Sequence, residues 1–378
     1  MQRLRWVRQL GLTHLVFPGG EHSRFSHALG AMELAGRVYD ALAEKAPELL
    51  EPDQRAPQRR LVRIAALLHD IGHAPFSHSA EELFEEGLSH EDMTLRLLHT
   101  PEIETLLEQD SDGVDVMRVA RILSGQGAEA ERLMAQIVSG ELDADKMDYL
   151  LRDSLFCGVR YGSYDLGRLL ETITPLRDPG SGEWDIGIDE GGVHALEALV
   201  LARYYMFTQV YFNVTGKALE LHLNEWLKTR EVRWPADPEL FLKEDDVTVW
   251  SAMRASKSRH ARAILERDHY LLAFETREHL SKEERARFGG LLAALEERFL
   301  PGDLLVSNSA KDPHRLGETR VLVRDRDGGL EPMERVSHFI RHLTRIDRFR
   351  VYTRQDCVEE VKALSRQRWS ELGVRGIR

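Results

Sequence analysis

One short stretch, Leu67-Leu68-His69-Asp70-Ile71-Gly72-His73-Ala74-Pro75-Phe76-Ser77-His78, is the most informative part of this chain. An adjacent His-Asp pair follows the apolar run 64–68, and two more histidines come within the next nine positions. Neighbouring side chains on a regular helix point about 100° apart. His69 and Asp70 can therefore reach one ion only near a helix end or a kink, and Gly72 and Pro75 predict such a break.

Candidates for the remaining ligands lie on both sides of this pair. His27 lies upstream in Arg24-Phe25-Ser26-His27, and Asp145 lies downstream in the polar segment 141–153. Taken alone, His27 is more often a helix-start or core histidine, and an Asp-rich helix start is often only a cap. The combination predicts a divalent-metal site. Two imidazoles and two carboxylates leave positions open for water and a substrate oxygen, which suits hydrolysis better than a structural role.

The composition is that of a soluble globular protein. The chain has 378 residues, of which 42% are apolar and 30% charged, enough for one large domain or a large and a small one. No apolar run approaches the roughly 20 residues of a membrane span, and there is no secretory leader, so we expect a cytoplasmic protein. The net charge of −12 does not indicate nucleic-acid binding, which stays possible. Two cysteines, Cys157 and Cys357, are too few for a disulfide framework.

The apolar pattern predicts a mainly α-helical fold with a small C-terminal α/β subdomain. Residues 1 to about 230 are mainly helical, with a small hairpin near the turn 178–182. We predict helices over 25–42, 60–71, 91–98, 114–123, 131–138 and 145–151, and one or two helices over 193–227. Segments 304–306, 319–323 and 349–353 are strand-like, and 358–369 is a final helix. This pattern divides the chain into a core of residues 1–300 and a subdomain of residues 301–378.

Three motifs resemble those of the HD-domain phosphohydrolases. They are Arg24-x-x-His27, the run from His69 to His78, and Asp143-x-Asp145-Lys146-x-Asp148-Tyr149-x-x-Arg152-Asp153. More narrowly, the chain resembles the deoxynucleoside triphosphate (dNTP) triphosphohydrolases, including those that join a sterile-alpha-motif domain to the HD domain. The segments 2–11 and 348–369 are similar too, so the resemblance covers most of the chain, though weakly between about 225 and 300. It implies that residues 1–300 form an HD-domain helical core.

The resemblance also implies a mechanism. His27, His69, Asp70 and Asp145 would hold one divalent metal ion, which could be Mn, Mg, Fe, Ni or Zn. Hydrolysis at the α-phosphorus would release a deoxynucleoside and inorganic triphosphate. The catalytic candidates are His78 as proton donor, Glu81 as the carboxylate that orients it, and His73 and His90 as contacts to the α-phosphate. Which histidine performs which task is left open.

Substrate contacts follow from the same resemblance. Arg24, Lys146 and Arg203 would bind phosphate oxygens, for which guanidinium groups are well suited. The sugar pocket would comprise Gln9 and Asp153, which would bond the 3′-hydroxyl, and Leu10 and Tyr211, which would crowd a 2′-hydroxyl. Tyr149, on the same helix face as Asp145, is included among the substrate-binding residues. Relatives of this kind assemble, so we expect a homo-oligomer, either a tetramer or a hexamer.

Two alternatives stay open at this point. The chain could be an HD phosphohydrolase acting on a monophosphate, a ribonucleotide or another phosphoester, or a non-enzymatic nucleotide-binding or assembly protein. The complete ligand set, together with Arg24, Lys146 and His78, argues against the second alternative. The preferred base, the metal and nucleotide activation are left open by the sequence.

Overall fold

Helices make up most of the computed structural model, which describes residues 1–50, 52–76, 83–109, 114–312 and 321–371. The mainly α-helical prediction is confirmed. The helices are α1 (Arg24–Lys45), α2 (Arg55–Leu68), α3 (His90–Leu98), α4 (Pro101–Glu108), α5 (Val116–Leu123), α6 (Glu129–Ser139), α7 (Ala144–Phe156), α8 (Leu166–Thr172), α9 (Val193–Met206), α10 (Val214–Thr229), α11 (Pro238–Phe241), α12 (Asp246–Ala255), α13 (Arg259–Leu265), α14 (Lys282–Glu296), α15 (Met333–Val336), α16 (His338–His342) and α17 (Val358–Glu371). The strands are β1 (Ile173–Arg177), β2 (Trp184–Asp189), β3 (Leu271–Glu275), β4 (Leu304–Lys311), β5 (Leu322–Arg324), β6 (Leu330–Pro332) and β7 (Ile346–Thr353).

Helix α1 is the centre of the packing that positions the site. Its apolar positions recur at helical spacing, and Ala28, Ala31, Ala35, Val38 and Leu42 are almost completely buried. The small alanine side chains let neighbouring helices approach closely, and α1 packs against both α2 and α7. The two other helices that carry or flank the predicted metal ligands, α2 and α7, are therefore both packed against α1.

Helix α2 ends earlier than the sequence predicted. The predicted helix ran to Ile71, whereas α2 ends at Leu68, and His69 is its C-terminal cap. The Ile71 N–H donates to the carbonyl of Leu68, and the His73 N–H donates to that of Asp70, so the chain turns immediately after the helix. The break that lets His69 and Asp70 converge lies before them rather than at Gly72.

The predicted hairpin forms part of a four-stranded sheet in the order β1-β2-β5-β6. β1 and β2 are antiparallel, and the Asp178 carboxylate caps their turn by accepting from the N–H groups of Gly180 and Ser181, at 2.7 Å each. β2 pairs in parallel with β5, and β5 is antiparallel to β6. The middle of the chain is thus joined to a strand far along the sequence.

The second sheet has the order β3-β7-β4, with antiparallel pairing throughout. Its central strand, β7, and the final helix α17 match the predicted strand and helix. β3 was not predicted. Apolar side chains from α14, α17 and the sheet form the core here, including Phe274, Phe288, Leu291, Val351 and Trp369.

The contacts divide the described residues into two units. The first comprises those within Met1–Met206, Arg233–Val247 and His314–Leu343, and the second those within Phe207–Val232, Thr248–Pro313 and Thr344–Arg378. The domain boundary at residue 300 stays a prediction, because units that are defined by contacts need not coincide with domains. None of the described helices is both long and apolar enough to cross a membrane.

Candidate metal centre

The structure brings His27, His69 and Asp70 together in the first unit. Each offers one ligand atom, and these atoms all lie within 4.8 Å of one another. Asp145 joins them, because its Oδ1 lies 2.9 Å from His27 Nε2 and 3.5 Å from His69 Nε2. His27 comes from the first turn of α1, His69 and Asp70 from the turn after α2, and Asp145 from the first turn of α7.

The Nε2 atoms of His27 and His69 are buried and have no hydrogen-bond partner among the described residues. In each ring the other nitrogen is already engaged. His27 Nδ1 lies 2.8 Å from Asp148 Oδ2, and His69 Nδ1 lies 2.6 Å from the carbonyl of Ala66. Because both of these partners are acceptors, each Nδ1 carries a proton and donates it, so Nε2 is the nitrogen that presents a lone pair when the ring is neutral and binds a metal.

In that neutral state, two lone pairs face two carboxylates and repel them unless a positive charge lies between. A divalent cation supplies that charge, and mixed imidazole and carboxylate donors suit first-row divalent metals. The separations also fit, because bonds of about 2.1 Å place opposite ligands about 4 Å apart. The residues present therefore fit one divalent metal ion.

The pKa values show how strongly the carboxylates act on the histidines. Burial lowers the pKa of His27, but the carboxylates of Asp145 and Asp148 and the charge of Asp70 outweigh it and raise this pKa to about 10. Burial likewise lowers the pKa of His69, and Asp70 and Asp145 raise it overall. Burial raises the pKa of Asp145, but His27 and His69 lower it overall. The cluster thus attracts positive charge strongly.

Asp70 is held from two further directions. Its Oδ2 accepts from Arg24 Nη1 at 2.5 Å, and its Oδ1 lies 3.2 Å from His73 Nε2. Burial alone would raise the pKa of Asp70, but the charges of His69 and Arg24 and the hydrogen bond from His73 hold it well below its usual range. Burial, with the adjacent Arg24 charge, lowers the pKa of His73 well below its ordinary value. His73 is accordingly a neutral hydrogen-bond donor to an ionised Asp70.

Asp148 and Arg152 support His27 from α7. The Asp148 carboxylate accepts from His27 and also from Arg152 Nε and Nη2, at 2.8 Å each. A Cβ at Gly30 of α1 would lie 1.8 Å from Asp148 Oδ1, so glycine is required for this approach. The sequence analysis included Asp148 and Arg152 in a motif of the HD-domain phosphohydrolases but did not assign them this supporting role.

His90 stacks on His73, with ring centroids 3.9 Å apart. It is the first residue of α3, which begins with a capping box formed by Ser89 and Asp92. Thr94 of the same helix stabilises the turn that carries His69 and Asp70, because its hydroxyl donates to the His69 carbonyl and accepts from the Gly72 N–H. The two histidines expected to contact the α-phosphate are therefore neighbours. His78 and Glu81 lie outside the described residues.

The predicted phosphate-binding side chains have protein partners. Lys146 Nζ donates to the Gly140 carbonyl and to Asp143 Oδ2, at 2.5 Å each. Arg203 of α9 is buried, with Nη1 3.9 Å from Glu141 Oε2. Tyr149 lies on α7 one turn beyond Asp145, and burial raises the pKa of its hydroxyl, so it is protonated at neutral pH.

The predicted sugar-pocket residues lie in different parts of the structure. Gln9 and Leu10 lie before α1, and the buried Gln9 Oε1 has no hydrogen-bond partner among the described residues. Asp153 accepts from His22 Nε2 at 2.8 Å, a buried contact that the sequence analysis missed because His22 lies outside the recognised motifs. Tyr211 ends a π-helical turn, Phe207–Tyr211, of the second unit.

Comparison with known families identifies this arrangement. Residues 24–153 match the family described as HD domain, and residues 165–370 match the family described as HD associated region. The chain belongs to the HD-domain family. The HD-domain match contains all four predicted metal ligands, and the resemblance to HD-domain phosphohydrolases is confirmed.

Several relatives of this HD-domain protein are similar over part of their length. The uncharacterized protein YwfO of Bacillus subtilis is 39% identical over 227 residues, which are 60% of this chain and 49% of YwfO. The deoxynucleoside triphosphate triphosphohydrolase SAMHD1 homolog of Dictyostelium discoideum is 35% identical over 229 residues, which are 58% of this chain and 42% of that protein. The chain spans about half the length of the curated relatives it matches.

Solved structures share the whole fold. A hypothetical protein from Aquifex aeolicus superposes with a TM-score of 0.81 and 32% identity, covering 96% of this chain and 92% of that one. A phosphohydrolase from Bacteroides thetaiotaomicron superposes with a TM-score of 0.71, covering 94% of this chain and 93% of that one. At 23% identity it bears on the fold alone.

Proposed function

We propose that this chain hydrolyses deoxynucleoside triphosphates to a deoxynucleoside and inorganic triphosphate, using one divalent metal ion held by His27, His69, Asp70 and Asp145. The observation that carries the proposal is the pair of buried Nε2 atoms, of His27 and His69, that face the carboxylates of Asp70 and Asp145. The choice of substrate is supported by the similarity to proteins named deoxynucleoside triphosphate triphosphohydrolase.

A divalent ion bound there would polarise a phosphoryl oxygen and favour ionisation of an attacking water. The protein's own residues hold the proposed ligands in the protonation state and the orientation that metal binding requires. Asp148 and the Ala66 carbonyl keep protons on the Nδ1 atoms of His27 and His69, so that both Nε2 atoms face the centre. Arg24 and His73 keep Asp70 ionised and oriented.

The protonation state of His73 limits its role. Its pKa lies well below the ordinary value because of burial and Arg24, so it holds no spare proton at neutral pH. A general acid must carry a proton to the 5′ oxygen of the leaving group. We therefore assign His73 to orienting Asp70 and keep His78 as the proposed proton donor.

Product analysis tests the proposal directly. The protein is incubated with each dNTP and each ribonucleoside triphosphate in Mn²⁺ or Mg²⁺, and the products are separated by chromatography. We expect deoxynucleoside and intact triphosphate. Release of inorganic phosphate or diphosphate, or cleavage of monophosphates alone, would favour another HD phosphohydrolase activity. Nucleotide binding without turnover under any of these conditions would mean that the chain is not an enzyme of this kind.

Asp70→Asn tests the site. The amide keeps the size of the side chain but removes the charge that a metal ligand and the Arg24 partner need, so we expect metal-dependent turnover to fall by at least about 100-fold. The control is Asp40→Asn on α1, whose half-exposed carboxylate pairs with Arg59. Rates and melting temperatures are measured for both. An Asp70→Asn protein that melts like the wild type and keeps its activity would contradict the ligand assignment.

A further inference from the structure

Asp246, the first residue of α12, joins two segments that are far apart in the sequence. Its side chain is buried, with 1% of the residue exposed. Oδ2 accepts from the backbone N–H of Arg8, and Oδ1 accepts from the backbone N–H of Phe76, at 2.9 Å each. All three residues belong to the first unit. One carboxylate thus fixes the separation of two stretches of backbone.

Each of these segments carries predicted site residues. Arg8 directly precedes Gln9 and Leu10, the proposed sugar contacts. Phe76 lies three residues after His73, whose Nε2 lies 3.2 Å from Asp70. Phe76 has a φ of 57°, a left-handed backbone conformation that is strained for a bulky residue and needs support from its surroundings.

Neighbouring contacts strengthen the same connection. Arg3 Nε donates to the Glu244 carbonyl at 2.6 Å, and its guanidinium lies over the Phe241 ring at 4.3 Å. Trp234, earlier in the same stretch, exchanges backbone hydrogen bonds with Leu83 and Glu85, at 2.8 and 3.0 Å. The stretch 234–246 therefore contacts the N-terminal segment, Phe76 and the residues Leu83 and Glu85.

We propose that Asp246 is a positioning residue that fixes Gln9 and Leu10 relative to the turn bearing His73, and thereby sets discrimination between deoxyribose and ribose. This inference rests on the proposed function. The chemical reason is that a carboxylate offers an acceptor to each of two N–H donors. An asparagine offers one acceptor oxygen and turns an NH₂ group toward the other N–H, so Asp246→Asn cuts one of the two connections without changing the size of the side chain.

The test measures catalysis, selectivity and metal affinity in the same variants. Asp246→Asn and Asp246→Ala are compared with the wild type for kcat and KM on a dNTP and on the matching ribonucleotide. Displacing reacting groups by a fraction of an ångström should lower kcat/KM for the dNTP by about tenfold or more. The dNTP-to-ribonucleotide ratio of kcat/KM should fall by about fivefold or more, because a displaced Leu10 no longer crowds the 2′-hydroxyl.

Metal affinity separates positioning from general damage to the fold. Asp246 contacts none of the four proposed ligands through the two hydrogen bonds described, so the Mn²⁺ dissociation constant from calorimetry should stay within about threefold of the wild-type value. The matched control is Asp347→Asn, which alters a buried aspartate of the second unit that pairs with Arg285 and should leave the selectivity ratio unchanged.

The outcomes distinguish the two proposals. A wild-type protein that cleaves no nucleotide overturns the proposed function, and this inference with it. An active wild type whose selectivity ratio is the same in Asp246→Asn overturns only the role of Asp246. Loss of Mn²⁺ affinity in parallel with activity would mean that Asp246 is merely structural. If Asp246→Ala does not fold, the isosteric Asp246→Asn decides the question.

Discussion

Asp148 illustrates how much a side chain outside the proposed metal-ligand set contributes to the centre. It accepts from His27 Nδ1 at 2.8 Å and so keeps the Nε2 lone pair directed at the proposed metal. Without this acceptor the ring can rotate or change its tautomer, and partners of this kind typically contribute roughly 10- to 100-fold to metal affinity. We therefore expect Asp148→Ala to weaken Mn²⁺ binding by that factor, measured by calorimetry.

The control for this variant is Asp40→Ala, on the same helix as His27 but paired with Arg59 at the surface. Its Mn²⁺ affinity should equal that of the wild type. An unchanged affinity in Asp148→Ala would show that His27 is held in place by other contacts.

Residue chemistry explains which parts of the site were predictable. Imidazole and carboxylate groups at motif spacing indicated His27, His69, Asp70 and Asp145, because few other arrangements use those side chains together. The supporting residues were harder to find, since the same aspartate serves equally well as a cap, a surface charge or a buried acceptor. Asp148 was recognised as part of a motif, but its hydrogen bond to His27 was not predicted. Asp246 lies where the family resemblance is weak, and its two partners are backbone groups, which carry no sequence signal.

At the scale of elements, the approach of α7 to α1 depends on Gly30. A methyl group there would lie 1.8 Å from Asp148 Oδ1 and 2.4 Å from Arg152 Nη2. Gly30→Ala should therefore displace Asp148 and reduce Mn²⁺ affinity, and it should lower the melting temperature despite alanine's better helix propensity. Calorimetry and thermal melts measure the two effects.

Gly289, inside α14, provides the matched comparison. A Cβ there would have no neighbouring atom within 4 Å. Gly289→Ala should stabilise its helix by about 0.5–1 kcal/mol and leave Mn²⁺ affinity unchanged. If both variants behave alike, packing of α7 on α1 does not explain the presence of Gly30.

Helices and strands were predictable where the sequence pattern that specifies them lies within the element itself. Helices α1, α3, α5, α6, α7 and α17 follow their apolar periodicity, and the hairpin follows its turn residues. The end of α2 was misplaced because Gly72 and Pro75 are strong breakers, while the turn that begins at His69 is stabilised by Thr94 from another helix. β3 was missed because its five residues become a strand only through pairing with β7, far along the chain.

At the scale of the whole molecule, the proposed ligands come from α1, the turn after α2, and α7. An ion that binds all of them binds only the folded chain, so it must stabilise that chain. At a free concentration 100 times the dissociation constant, the stabilisation is about 2.7 kcal/mol. We expect chelator-treated protein to melt at a lower temperature and Mn²⁺ to restore the loss, with a much smaller shift in Asp145→Ala. Equal melting temperatures with and without Mn²⁺ would contradict a site built from these elements.

The path of the chain also limits how this protein can be shortened. Each of the two units is assembled from separate stretches, and each sheet contains strands from both the middle and the end of the sequence. A truncated gene product that stops before β4 would retain every proposed metal ligand, yet it would leave β2 and β3 with unpaired edges, which favour aggregation. Deletion mapping would therefore underestimate the activity of the residues before β4, because the shortened chain would tend to aggregate. Point substitutions in the full chain are the better way to locate the residues that carry the activity.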